Sequence, residues 1–249
     1  MILNSTLFDN FGDQLYNNII KDDRWSFYLE GLGNTLIMTV FAALIGIALG
    51  CLVAICKVNV VQRRATRIGK LSFGDVVMNI LNGICDVYLT VIRGTPMMVQ
   101  LMVFAFIIFA SGSMSSNLYV GFLALGINSG AYVAEIIRAG IMAVDKGQME
   151  AGRSLGLKNS TAMTMIVLPQ AIKNILPALG NEAITLLKDT SLVVVIGVAD
   201  LTYKATQIRS VTYSVVPIIV IAVVYLIVVV ALTQLLKVFE RRMARNDRR

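Results

Sequence analysis

The chain has 249 residues, 57% of them hydrophobic and only 15% charged, with a mean hydropathy of +0.75. Soluble domains run about 45–50% apolar and about 25% charged, so this composition excludes a disordered chain, a disulfide-rich secreted domain and a water-soluble enzyme. The net charge of +7 fits basic loops on one side of a membrane better than nucleic acid, because no aromatic residues interleave with the cations.

Histidine is absent, which removes histidine general bases, histidine metal sites and every histidine-assisted nucleophile. Cys51, Cys56 and Cys85 make no C-x-x-C pair and read as small buried hydrophobes rather than a redox or metal site. Met1 to Glu30 is polar and acidic, without the basic and apolar regions of a signal peptide, and is expected to be extracytoplasmic.

A bilayer core of about 30 Å takes about 20 apolar residues of helix. The first predicted span is Thr35 to Cys56, uncharged and carrying the small residues Ala42, Ala43, Gly46, Ala48 and Gly50, which let a neighbouring helix approach closely. A basic loop follows. Residues 76–110 read as one broken element crossing once: Asn79, Asn82 and Asp86 share a helix face, and Arg93-Gly94-Thr95-Pro96 interrupts the run. The uncharged tract 111–117 reads as a turn. Leu118 to Ile137 is the third span. Thr161 to Leu187 is the fourth, opened by Pro169, interrupted at Pro177 and ended by Lys188-Asp189-Thr190-Ser191. Ser191 to Leu201 is apolar but too short to cross alone, and Val211 to Leu236 is the fifth span, before a basic tail.

Five crossings put the termini on opposite sides. Lys and Arg number five in 57–70, four in 138–158 and six from Lys237 onward, against two in the N-terminal segment and three in 188–209. The positive-inside rule then expects the N-terminus outside and the C-terminus cytoplasmic. The fold class expected is an all-α membrane protein, divided as a polar segment 1–30, a transmembrane domain 31–240 and a basic tail 241–249.

The cytoplasmic segment 148–169 reads QMEAGRSLGLKNSTAMTMIVLP. Glu150-Ala151-Gly152, three residues, Gly156, nine residues and then Ile166-Val167-Leu168-Pro169 resembles the EAA loop of binding-protein-dependent ABC importer permeases, with Gly152 where alanine is usual. Small residues at 151 and 152 suit close approach to a partner, Glu150 could stabilise the helix start, Gly156 could turn the chain, and Pro169 suits a first helical turn. Arg93-Gly94-Thr95-Pro96 followed by MMVQL, SGAYVAEIIRAGI at 129–141, and LPQAIKNILPALGNEAITLLKDTSL at 168–192 resemble motifs of the polar amino acid permeases of that family.

The resemblance implies a permease subunit of an importer for polar amino acids such as glutamine, glutamate, histidine or arginine, in the cytoplasmic membrane of a prokaryote. It implies a coupling helix between spans three and four, two ATPase subunits holding ATP and Mg, a second permease chain, identical or paralogous, and a separate extracytoplasmic binding protein. The chain has no Walker A pattern, so it is expected to bind no cofactor and to have no ATPase site of its own.

Polar residues inside spans are candidate substrate contacts. Asn128, Tyr132 and Glu135 recur on one helix face, and Asn181 and Glu182 lie late in the fourth span. The other reading makes them scaffolding, with Glu135 and Arg138 as an i, i+3 pair. Arg93, Gly94, Thr95, Pro96, Lys188, Asp189, Thr190 and Ser191 are candidates for gating or structure. An ATP-independent secondary transporter or channel is the alternative function, and an opine or a sulfur-containing amino acid the alternative cargo.

Overall fold

The structure, a computed structural model, describes residues 11–66, 72–110 and 116–246. Most of the expected turn at 111–117, Arg67 and Lys70 of the basic loop, the start of the N-terminal segment and the end of the tail lie outside the described residues.

Among the described residues every regular element is helical. Helix α1 (Phe11–Leu15) passes through a π turn at Tyr16–Ile20 and a 3-10 turn at Lys21–Asp23 into α2 (Arg24–Thr66). Asp22 and Asp23 take positive φ at that kink. The 43 residues of α2 extend about 65 Å at the helical rise, so the predicted span 35–56 is only its uncharged middle. Next come α3 (Phe73–Gly94) and α4 (Met97–Val103), the latter continued by a π turn at Phe104–Ile108. The break falls at Thr95-Pro96, as the sequence suggests: both residues are extended, and a residue before proline is driven out of the helical region.

Helix α5 (Ser116–Met142) leads through a short turn into α6 (Lys146–Ser154), α7 (Asn159–Ala162) and a π turn at Met163–Val167. Then α8 (Leu168–Asp189) ends in a 3-10 turn at Thr190–Ile196, followed by α9 (Leu201–Thr212) and α10 (Val216–Asn246). Among the described residues five helical runs are long and apolar enough to cross a membrane: 12–61, 73–94, 118–142, 159–196 and 216–243. The apolar piece Met97–Ile108 is shorter, in keeping with a single broken crossing over 76–110.

Two expectations, at Pro177 and at the start of the fifth span, need correction. Pro177 does not interrupt the fourth span: α8 runs through it unbroken. Pro169 stands in the first turn of α8, as expected, although the helical run that contains it already begins at Asn159; it follows the π turn, where a wider turn accommodates a residue that cannot donate the regular bond. The fifth span starts at Val216 rather than Val211, because α9 takes Val211 and Thr212 and the left-handed Tyr213 ends it.

Helices α2 and α5 form the centre, and their glycines make the contact. A β-carbon on Gly50 would stand 2.4 Å from Val133 Cγ1, one on Gly126 would stand 2.7 Å from Ile45 Cβ, and one on Gly130 would stand 3.0 Å from Leu49 Cβ. The pairings rise together in number, so the two helices run parallel. The small-residue expectation for Gly46 and Gly50 therefore holds, with partners on α5. Helix α8 returns antiparallel to α5: Gly140 abuts Ile175, and Ser129 bonds to Glu182. Parallel α2 and α5 require an intervening return, which the Lys57–Asp86 pair at one level and the Met38–Leu101–Leu125 cluster at another supply through α3 and α4.

The outward surface is apolar. Helix α3 has no buried residue, and Ile80, Ile84 and Val87 are exposed, as are Leu226 and Ile227 of α10. In water such faces would drive aggregation; against lipid they carry no penalty.

Candidate functional site

A cavity of about 610 Å³ opens between α2, α3 and α5. Lys57 and Asp86 close one side as an ion pair across α2 and α3, and Asn82 Nδ2 donates to Asp86 Oδ2 at 2.7 Å. On the other side Arg138 Nε donates to Glu135 Oε2 at 2.9 Å, and its Nη2 donates to Oε1. Arg93 Nη1 stands 3.8 Å from the same Oε2, and its guanidinium lies 6.0 Å from the centre of the Tyr132 ring. The lining thus holds three cations, two carboxylates and a phenol. Glu135 answers to two arginines, so one arginine can be released to another anion without leaving the carboxylate unpaired.

The structure therefore gathers Arg93, Gly94, Tyr132 and Glu135 at one cavity, with Arg138, Lys57 and Asp86. It places the other predicted contacts elsewhere. Asn128 Nδ2 donates to Gln100 Oε1 at 2.9 Å, tying α5 to α4. Gln100, buried, donates in turn to Ile92 O at 2.8 Å, Thr95 O at 3.1 Å and Thr95 Oγ1 at 2.8 Å, pinning the chain break around Pro96. Ser129 Oγ donates to Glu182 Oε1 at 2.8 Å, a link between α5 and α8. Asn181 is exposed on α8.

At the far end of α8, Lys188 is exposed, Asp189 and Ser191 are half-buried, and Thr190 is fully buried, donating to Leu187 O at 2.8 Å. Beyond Gly197, at φ 77°, lies a polar knot that sequence reasoning missed. Asp200, fully buried, caps α9 by accepting from Tyr203 N at 2.7 Å and takes Tyr225 OH at 3.4 Å, while Leu201 N donates to Thr35 Oγ1 at 3.2 Å. Burial pushes the Asp200 carboxyl up to about 6. The available signal was Asp immediately before a helical run, an N-cap pattern. Gln100, likewise unassigned a role, sat inside the Arg93–Leu101 stretch already singled out.

The loop motif folds as a short exposed helix. Asp145 caps α6 by accepting from Gly147 N at 2.6 Å, so Glu150 lies in mid-helix rather than at its start. Gly156 takes φ 86° just beyond the helix, as expected of the turn residue, and Gly156 N donates to Arg153 O at 2.9 Å. Gly152 is buried, and a β-carbon there would meet Ile166 Cδ1 at 2.8 Å. The motif's two ends therefore pack on each other, while Glu150, Ala151 and Leu155, the last 83% exposed, face outward. Leu168 and Pro169 begin α8 behind this packed turn.

Residues 74–245 match the family described as binding-protein-dependent transport system inner membrane component. The arginine transport system permease protein of Bacillus subtilis (strain 168) is 40% identical over 223 residues, 89% of this chain and 94% of that one. The glutamine transport system permease protein of Escherichia coli (strain K12) is 41% identical over 170 residues, 66% of this chain and 76% of that one. A crystal structure of an amino acid ABC transporter with histidines superposes with a TM-score of 0.75 at 43% identity, covering 87% of this chain and 94% of that one. The inward-facing MetNI methionine ABC transporter gives a TM-score of 0.71 at 18% identity over 90% and 99% of the two chains, a likeness of fold.

Proposed function

The chain belongs to the family of binding-protein-dependent transport system inner membrane components, as the permease subunit of an amino acid ABC importer whose ATPase is a separate subunit, and we propose that its cavity between α2, α3 and α5 is the amino acid pathway. The observation that carries this is the pairing of both charge signs around Arg93, Glu135 and Arg138 on the wall of that cavity. A free amino acid presents a carboxylate and an ammonium, so a wall that offers guanidinium and carboxylate groups together suits its backbone whatever the side chain. The cargo class we assign is polar amino acids.

Residues 31–240 are then the transmembrane domain, 1–30 an extracytoplasmic segment and 241–249 a cytoplasmic basic tail. The excess of cations in the 57–70 loop, the 138–158 segment and the tail supports this orientation. Helix α6 then faces the cytoplasm as the coupling helix, and its exposed Ala151 and Leu155 suit a groove on an ATPase that binds ATP and Mg. Two ATPase subunits, a second permease chain and a binding protein complete the assembly. For the binding protein we assign a polar depression of about 620 Å³ between residues 14–24 and 211–215, with Tyr213 projecting beside it.

The test is ATP hydrolysis by the assembled transporter in vesicles. An amino acid-loaded binding protein stimulates hydrolysis and uptake in the wild type. Uptake of amino acids without ATP or an associated ATPase would overturn the reading in favour of a secondary transporter.

A further inference from the structure

The cavity between α2, α3 and α5 has two charged ends. Asp86 and Arg93 both line it from α3. Seven residues apart, they share a helix face and lie about 10 Å from one another along the axis. At the Arg93 end, Glu135 accepts from two nitrogens of Arg138, and Arg93 Nη1 stands 3.8 Å from the same carboxylate. At the other end Asp86 pairs with Lys57 through Oδ1 and accepts from Asn82 Nδ2 at 2.7 Å through Oδ2.

The two ends differ in what they leave over. Lys57 and Asp86 balance one another, whereas Arg93 and Arg138 share the carboxylate of Glu135. Among the described residues that line the cavity, three cations therefore face two carboxylates. A free amino acid with its α-carboxylate on Arg93 and its ammonium on Glu135 adds two charges that cancel, so the excess cation is left for its side chain to answer. A long side chain reaches from there to Lys57 and Asp86, and a short one does not. A carboxylate at its tip accepts from Lys57 and brings the cavity to neutrality. An amide leaves the excess in place. A guanidinium or ammonium doubles it and competes with Lys57 for Asp86. Between membrane-spanning helices unbalanced charge is costly, so these three tips rank in that order.

We propose that Lys57 and Asp86 read the side chain of the transported amino acid, and that the cavity takes a dicarboxylic amino acid of glutamate length, its amide analogue second and basic amino acids last. This names the cargo of the pathway assigned above and rests on that reading. Specificity comes from the pair as a unit: Lys57 attracts the distal carboxylate, and Asp86 keeps Lys57 from leaving the empty cavity with a second unbalanced cation.

The experiment measures equilibrium binding of L-glutamate, L-glutamine and L-arginine to the permease–ATPase complex in lipid nanodiscs, without the binding protein, so that the selectivity is the permease's own. Glutamate is expected to bind roughly tenfold or more tighter than arginine, with glutamine between them. Lys57→Ala leaves Asp86 to face the side chain and should move the preference toward arginine by roughly tenfold or more, while Lys57→Arg keeps the wild-type order. Asp86→Asn releases Lys57 and should tighten glutamate and weaken arginine. Opposite shifts in two variants do not arise from misfolding, which weakens every ligand alike. Arginine bound as tightly as glutamate by the wild type, or an order unchanged by Lys57→Ala, overturns the proposal; if Glu135→Gln still weakens binding, the pathway reading survives it. Binding of none of the three, or binding indifferent to Glu135→Gln, overturns the pathway reading and the proposal with it.

Discussion

The side-chain amide of Asn128 on α5 donates to Gln100 Oε1 on α4, and Gln100 spends its own amide hydrogens on Ile92 O and on Thr95. One buried glutamine thus holds a helix break at a fixed place against the central helix. Its removal leaves the Asn128 amide and the carbonyls around Pro96 unpaired together. Gln100→Ala is expected to cost about 2 kcal/mol and Asn128→Ala about 1 kcal/mol, within the range for lost buried hydrogen bonds and near the upper part of that for membrane helices. Thermal unfolding of the two single variants and the double variant checks this. The double should cost less than the sum of the singles, because the Asn128–Gln100 bond is lost only once.

At the cavity, Glu135→Gln keeps the side chain's shape while removing the charge that faces Arg93 and Arg138. The groups are partly exposed, so the loss of stability should stay within about 1 kcal/mol. Amino acid uptake by the assembled transporter should fall roughly tenfold, a loss of about 1.4 kcal/mol of interaction along the pathway. Measuring uptake and thermal stability together separates lining from scaffolding: a large stability loss with uptake unchanged per folded molecule assigns Glu135 to scaffolding.

On α6, Leu155 is 83% exposed and touches little of its own chain. Leu155→Glu should leave the permease as stable as before, within about 0.5 kcal/mol, yet abolish co-purification of the ATPase and amino acid-stimulated hydrolysis. Gly156→Ala acts differently, since φ 86° costs an L-residue about 1 kcal/mol or more. It should weaken coupling partially by disturbing the turn, not by removing a contact.

The α2–α5 contact makes a fourth prediction. A methyl group at position 50 would stand 2.4 Å from Val133 Cγ1 and 2.9 Å from Ala134 N. Gly50→Ala should therefore destabilise by about 1–3 kcal/mol, as overpacking does. Val133→Ala should restore only part of the loss, because the backbone nitrogen of Ala134 remains in the way. Full rescue in a thermal unfolding assay would show that the helices separate easily.

The spans, the broken element and the exposed loop helix were legible because each rests on local properties: apolar length, a residue before proline, glycine at a positive φ. The site was legible only in part. Asn128, Tyr132 and Glu135 share a helix face, yet Asn128 turns to Gln100 while the other two meet Arg93, and spacing on one helix carries no information about what the neighbouring helices offer. Pro177 misled for the converse reason. A proline normally weakens a helix interior, but packing of α8 against α5, through Gly140 and Ile175 and through Ser129 and Glu182, keeps it continuous. The pairs Thr35–Leu201, buried, and Asp200–Tyr225, partly buried, join different helices, and no pattern within either segment announces them.

Asp200 supplies the pH dependence. Its carboxyl is fully buried, accepts from Tyr203 N and Tyr225 OH, and among the described residues meets no cation, because Lys204 is engaged by Glu30 at 2.8 Å and by the Phe27 ring. Burial therefore outweighs the hydrogen bonds and raises the carboxyl to about 6, against about 3.9 when unfolded. Between those values the folded chain holds a proton that the unfolded chain has released, so stability from this group is present at the acid end and falls as pH rises through the window. The full change would be at most about 3 kcal/mol. Asp200→Asn retains an acceptor for Tyr203 N–H and hence the helix cap, but cannot titrate. Thermal unfolding in detergent from about pH 4 to about pH 8 should show the wild type losing stability relative to Asp200→Asn across that window, then running parallel to it above. Parallel profiles throughout would mean that the carboxylate is ionised in the fold, with a compensating charge drawn to the knot.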